Sequence, residues 1–334
     1  MSAKWLRAIA TCFVIGCTFV PIRGICECAK IADIPSIQIS NAALTQLGRI
    51  GYGRTEIFAA ILQTATPEAQ GCWASPTGNS DGQLVSVGLA QWNYGQGTLQ
   101  PLLRRYRSGY ANAALWKANI AKLMPVNGAK VFSDQCLRND LTAECKDFFK
   151  NQTVNGKLNE SFKTEFEQLF NSDSMKQIQT DVFVSLLTSV TSDVERVFKG
   201  MSVSPLRVKW AIDTKVQQGR GGFPGDVDID RVRKKWRDAS KAERATELGS
   251  IFMWYQGLCS SFDQEGVKFD CVHNSTLWNE FLHAGKISDE AADLILLTHL
   301  KSRTAAGVYQ ADCFQRRTKI ALGAGSVHGS TAAL

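Results

Sequence analysis

Long apolar runs are missing from this sequence. AIATCFVIGCTFV, residues 8–20, is uncharged and apolar, but it falls well short of the roughly 20 residues that a membrane-spanning helix needs. Histidine is scarce. The chain has four, and His273, His283, His299 and His328 do not pair at metal-ligand spacing. Glycine-rich nucleotide loops are missing too: GRGGFPG, residues 219–225, is neither a P-loop nor a dinucleotide fingerprint. DVDIDR, residues 226–231, begins like a calcium loop, but Arg231 and Arg237 stand where an EF-hand needs Gly and Glu. No internal repeat and no obvious linker divides the chain. These absences leave no cofactor and no metal to expect.

What is present starts with the N-terminus. Lys4 and Arg7 precede the apolar run, and Pro21 and small residues follow it. That order reads as a secretory signal over residues 1–28, and so as a secreted or periplasmic protein without stable membrane insertion. The alternatives are a buried first helix or an uncleaved anchor. Of ten cysteines, Cys12 and Cys17 lie in the apolar run, and Cys26 and Cys28 lie just beyond it. Six would remain, an even number that suits disulfides in an exported chain. Cys136 with Cys145 and Cys259 with Cys271 are close in sequence, and elimination leaves Cys72 with Cys313; buried thiols are the alternative. The six contain no CxxC, which argues against zinc. The formal charge is +7, and losing Lys4, Arg7, Arg23 and Glu27 leaves about +5. A basic exported protein suits an anionic partner such as peptidoglycan or a membrane surface, and a solvated basic surface with no target is the alternative. The basic run RVRKKWR, residues 231–237, reads as a solvated helix face or a contact with anionic wall polymer rather than a nucleic-acid site.

Helical spacing dominates the rest. Thr55 is placed to cap a helix carrying Ile57, Phe58, Ile61, Leu62 and Ala65, which Pro67 should end at Thr66. Residues 69–97 are rich in glycine, proline and asparagine, which favours turns or a small hairpin. From Leu99 onward the pattern is mostly helical, with residues 134–160 polar enough for an inserted loop. The expected fold is a single mainly α domain over residues 29–334, an α+β arrangement with a small β-hairpin element beside a cleft.

Glu68 follows the predicted helix end, and Asp81 comes 13 residues later inside GNSDGQ. Two carboxylates flanking a cleft are what glycosidic cleavage uses. One is kept protonated to donate to the leaving oxygen; the other is ionised to activate water or support the transition state. Gly88-Leu89-Ala90-Gln91 resembles the Gly-Leu-Met-Gln stretch of lytic transglycosylases and goose-type lysozymes. The longer GNSDGQLVSVGLAQWNYGQGTLQPLL resembles bacterial chitosanase-like glycosidases of the lysozyme superfamily, which read Gly-Asn-Phe-Asp-Gly-Gln and then Ser-x-Gly-x-Leu-Gln-Trp-Asn-x-Gly-Gln-Gly. The resemblance resumes at residues 211–222 and 318–329. Pro67 and Ser80 stand where that family has Phe, and Glu56 is a second, helix-starting acid.

The resemblance implies a lysozyme-like fold and a glycosidase with Glu68 as acid and Asp81 as base. Its cleft would bind hydroxyls and N-acetyl groups through Gln83, Ser86, Gly88, Gln91, Asn93 and Gln96. Trp92 and Tyr94 would serve as sugar platforms, with Asp213 and Gln217 on the far side. The substrate would be peptidoglycan or a related amino-sugar polysaccharide, with an inhibitor or immunity protein as a further partner. A chitosanase, a lytic transglycosylase and a non-catalytic wall-binding protein are the alternatives.

Overall fold

A computed structural model describes residues 28–31, 37–79, 82–199, 201, 203–218, 223–259, 265–305, 307–327, 329 and 331. The apolar N-terminal run, Asp81 and His328 lie outside the described residues. The described chain is mainly helical with a small antiparallel sheet, and none of its helices is long and apolar enough to cross a membrane.

An extended stretch buries Ile37 and Ile39 and exposes Gln38 and Ser40, as strand-like alternation dictates. Ser40 then caps α1 (Asn41–Gly48) by accepting from the Ala43 N–H at 3.2 Å. Next come α2 (Arg54–Ala69), β1 (Thr77–Asn79), β2 (Leu84–Val87) and β3 (Trp92–Asn93). The three strands form an antiparallel meander, with Thr77 opposite Ser86 and Val87 opposite Trp92. Then follow α3 (Gln100–Ser108), α4 (Ala113–Leu123), α5 (Gly128–Val131), α6 (Ala143–Asn151), a hairpin of β4 (Thr153–Val154) and β5 (Lys157–Leu158), and α7 (Glu160–Phe170). The remainder is helical: α8 (Asp173–Val197), α9 (Pro205–Gln218), α10 (Asp226–Asp238), α11 (Lys241–Cys259), α12 (Glu265–His283), α13 (Asp289–Ser302) and α14 (Gly307–Leu322).

Apolar side chains gather into two cores. One, around Val85, Val87, Tyr94, Leu103, Tyr106, Phe149, Phe162 and Phe166, joins the sheet to α3–α7. The other, around Ile57, Ile61, Trp210, Phe252, Trp278, Leu294 and Phe314, joins α2 to the C-terminal helices. The 25-residue α8 serves both: Met175 and Ile178 enter the first core, and Phe183, Leu187, Val190 and Val194 enter the second. Trp92 packs against both cores at their junction.

Several expectations are corrected. The helix expected to stop at Thr66 runs on to Ala69 with Pro67 inside it, and starts at Arg54 behind Gly53 rather than behind a Thr55 cap. Pro67 lies in the last turn, and the helix continues only two residues past its missing amide. The Thr66 hydroxyl donates to the Leu62 carbonyl at 2.8 Å, and Gln70, in the left-handed region at φ 54°, closes the helix. Glu56 accepts from the Gly53 N–H at 2.9 Å and is a helix-start residue. Residues 134–160 are not a loop: they hold α6 and the β4–β5 hairpin, clipped by the Cys136–Cys145 disulfide. DVDIDR contains the first turn of α10, with Asp226 and Asp228 at its N-terminus.

The disulfides also differ in part. Cys259–Cys271 forms as expected. Cys72, however, pairs with Cys28, and Cys313 is a buried thiol within α14. Residues 28–31 run antiparallel to residues 71–73. The Ile31 N–H donates to Gly71 and the Trp73 N–H to Ala29, at 3.0 and 3.1 Å. Elimination misassigned the pairing because Cys28 had been counted in the signal expected over residues 1–28; Cys28 is part of the described fold.

Candidate functional site

A cleft of about 570 Å³ opens where the sheet meets the C-terminal helices. The last turn of α2 contributes Glu68. The sheet side contributes Gln83, Ala90, Gln91, Asn93 and Gln96. The helical side contributes Val216 and Gln217 of α9, residues Lys301, Thr304 and Ala305 at the end of α13 and beyond, and Tyr309, Asp312, Cys313 and Arg316 of α14. Glu68, Gln83, Gln91, Asn93, Gln96 and Gln217, distant in sequence, were expected at a site and meet in this one.

The sheet wall is built from amides that mostly bond one another. Gln91 adopts φ 48°, and its Nε2 donates to the carbonyls of Ser75 and Gly88 at 3.1 and 3.3 Å. Its Oε1 accepts from the Thr77 hydroxyl at 3.0 Å. Asn93 Nδ2 donates to Gln83 and Gln96, and Asn93 Oδ1 accepts from the Gln96 N–H at 2.8 Å. Two glycines are sterically required. Gly88 has φ +91°, and a Cβ there would sit 2.7 Å from Gln179 Oε1 and 2.9 Å from the Trp92 ring. A Cβ on Gly95 would sit 2.4 Å from the Gly82 carbonyl. Much of the hydrogen-bonding capacity of residues 78–100 therefore shapes turns.

Five expected binding residues do not line the cleft. Ser86 is buried in the middle strand, and Gly88 packs against Gln179 and Trp92. Trp92 is wedged between the two cores. Tyr94 is fully buried and stacks on Phe149 at 3.9 Å, so it is a core residue and not a sugar platform. Burial pushes its hydroxyl well above the ordinary tyrosine value. Asp213 is buried behind the cleft wall, where it holds arginines.

The helical wall carries buried charge. Gln315, Arg316, Arg317, Thr318 and Lys319 are consecutive, polar and all buried. Arg316 donates to Asp213 from Nε at 3.1 Å and Nη2 at 2.7 Å. Its Nη1 lies 2.7 Å from Glu68 Oε1, an ion pair outside hydrogen-bond alignment, so that oxygen is buried with its hydrogen-bonding capacity unmet. Burial opposes the Arg316 charge, but Asp213, Glu68 and Asp312 outweigh it and hold the guanidinium's proton affinity well above the ordinary arginine value. Arg317 donates to Gln217 at 2.8 Å and lies 3.3 Å from Asp213; there burial prevails and its proton affinity falls. Gln217 in turn donates to Asp312 at 2.7 Å. The arrangement fixes Glu68 at the cleft wall through a chain of charges reaching from α2 through α14 to α9.

Sequence reasoning did not single out Arg316, Asp312, Lys301 or Tyr309. A signal was present: Tyr309, Asp312, Cys313 and Arg316 fall at i, i+3, i+4 and i+7, one face of a helix, beside a paired Arg-Arg followed by Ile320 and Ala321. Asn274, in a glycosylation-type triplet, is buried and bonded to Ser326, which closes it to modification in the folded chain. Compared with protein-family models, with curated proteins and with solved structures, the chain matches none of them.

Proposed function

We propose that the chain is an exported, lysozyme-like glycoside hydrolase that cleaves the β-1,4 bonds of peptidoglycan glycan strands. Glu68 is the general acid and Asp81 the base that activates water. The observation that carries the reading is the position of Glu68. It ends α2 in the wall of an open cleft between two cores, facing the amides that the sequence resemblance singled out. Two cores joined by the long α8, with Glu68 lining a cleft beside them, suit an extended glycan. Asp81 lies outside the described residues, but Gln83, two residues on, lines the cleft. An inverting hydrolase needs the Glu68 and Asp81 carboxyls about 6.5–9.5 Å apart, with a water between. Arg316 Nη1 stands 2.7 Å from Glu68 Oε1, so acid catalysis requires this pair to loosen as the glycan enters.

The charged residues lining the described cleft are Glu68 and Asp312 against Lys301 and Arg316. A balanced cleft on a basic protein suits a neutral or acidic glycan better than polycationic chitosan. A second reading, a non-catalytic wall-binding protein, is favoured by the Glu68–Arg316 pair itself. Digestion of purified peptidoglycan followed by mass spectrometry separates the readings. Reducing-end muropeptides support hydrolysis, anhydro ends a transglycosylase, and no release the binding protein.

A further inference from the structure

Sugar-binding clefts hold pyranose rings by stacking their C–H faces on an aromatic ring that is accessible yet anchored. The aromatics of the sheet wall do not offer such a face. Tyr94 is sealed in the core against Phe149, and Trp92 is packed between both cores and does not line the cleft. On the opposite wall, Tyr309 lines the same cleft and is 54% exposed, one of the few large apolar side chains left open to solvent.

Its placement is specific. Tyr309 lies in the first turns of α14, on the stripe that continues through Asp312 and Cys313 to Arg316, the partner of Glu68. Seven helical residues rise about 10 Å. Tyr309 thus lies about 10 Å along α14 from Arg316, exposed where Arg316 is buried. Thr304, in the α13–α14 connection, adds a hydroxyl to the same wall, and Gln83 and Gln96 face it from the sheet.

We propose that Tyr309 is the aromatic platform of this cleft, forming a subsite for an uncharged pyranose ring of a β-1,4-linked N-acetylamino-sugar chain, beyond the sugar that meets Glu68. This rests on the glycosidase reading of the cleft. It assigns Tyr309 to positioning rather than chemistry. A residue that grips substrate and transition state alike changes KM and leaves kcat in place.

The test uses the full mature chain with Glu68→Gln, which keeps the cleft but cannot turn over, titrated calorimetrically with a β-1,4-linked N-acetylglucosamine hexamer. Tyr309→Ala in that background should weaken binding about tenfold, the effect of removing one aromatic contact. Tyr309→Phe should stay within about twofold of the parent, because the ring and not the hydroxyl does the stacking. In the active enzyme, Tyr309→Ala should raise KM by a similar factor with kcat nearly unchanged. The exposed position keeps the fold intact in both variants, checked by circular dichroism. If the hexamer binds and Tyr309→Ala binds it equally well, the platform is refuted while the glycosidase reading stands. If the parent neither binds the hexamer nor degrades peptidoglycan, both fall together.

Discussion

The two walls of the cleft are both polar, yet they are made polar in opposite ways. The sheet wall is a local object: Gln91 bonds Ser75 and Thr77, and Asn93 bonds Gln83 and Gln96, all within 16 residues. The helical wall is a long-range object: Arg316 meets Asp213 at a separation of 103 residues, and Arg317 meets Gln217 at 100. Amides in turns are neutral and partly solvated, and each net hydrogen bond contributes only about 0.5–1.5 kcal/mol. Buried charges must be matched, and breaking one partner of such a pair costs several times more. The helical wall is therefore the brittle one, and the sheet wall tolerates change.

Arg316→Met gives the largest expected effect. It takes from the buried Asp213 and the half-buried Glu68 the cation they share, leaving Asp213 only the Arg317 contact at 3.3 Å, and should cost about 3–5 kcal/mol, read as a fall in the urea midpoint. A loss under about 1 kcal/mol would mean that the ion-pair chain does not hold this wall. The Cys28–Cys72 bond, which ties residues 28–31 to the turn after α2, comes next. It closes a 44-residue separation, against 9 for Cys136–Cys145. Serine at both positions of the longer loop should cost about 4 kcal/mol in the chain-entropy picture, against about 3 for the shorter. Thermal melts that reverse this order would contradict the entropic account.

The same contrast explains what the sequence made legible. The meander, the amide cluster and the two short-range disulfides were readable because their partners are near neighbours, and turn chemistry is encoded locally. Pro67 misled because its penalty, one lost amide and a crowded preceding turn, does not stop the helix at once: α2 runs two residues past it to Ala69. Tyr94 misled because its apolar burial is supplied by Phe149, which no local pattern announces. The polar run Gln315–Lys319 carries no local sign of burial; only the fold brings Asp213, Gln217, Glu68 and Tyr255 around it. Cys28 was missed because it was counted in the signal expected over residues 1–28.

Smaller effects sharpen the comparison. Gly88→Ala forces a side chain into φ +91° against Gln179 and Trp92, and should cost about 1–3 kcal/mol. It should also disturb the sheet wall, checked by chemical denaturation and by the indole emission of Trp92. A neutral outcome would mean that the turn can re-form. The smallest effect is a pH slope. Burial beside Trp254, together with Arg303, pushes His299 down from the usual 6.5 to about 4, with Glu247 opposing. Between those values the unfolded chain binds the proton and the folded chain does not, so stability should fall as pH drops from about 6.5 toward 4. Partial solvent access keeps that slope shallow. His299→Phe should flatten it, measured as Tm against pH; an unchanged slope would assign it to other groups.

The most direct test of the cleft as a glycosidase site is the rate of reducing-end release from purified peptidoglycan by the parent and by Glu68→Gln, at equal concentration and with matched circular dichroism. Glutamine preserves the shape of the side chain but has no acidic proton to give the leaving oxygen. With Glu68 as the general acid, the parent releases reducing ends and the variant is slower by at least about a hundredfold. Equal rates in the two proteins would remove Glu68 from the chemistry, and no release by the parent would contradict the glycosidase reading itself.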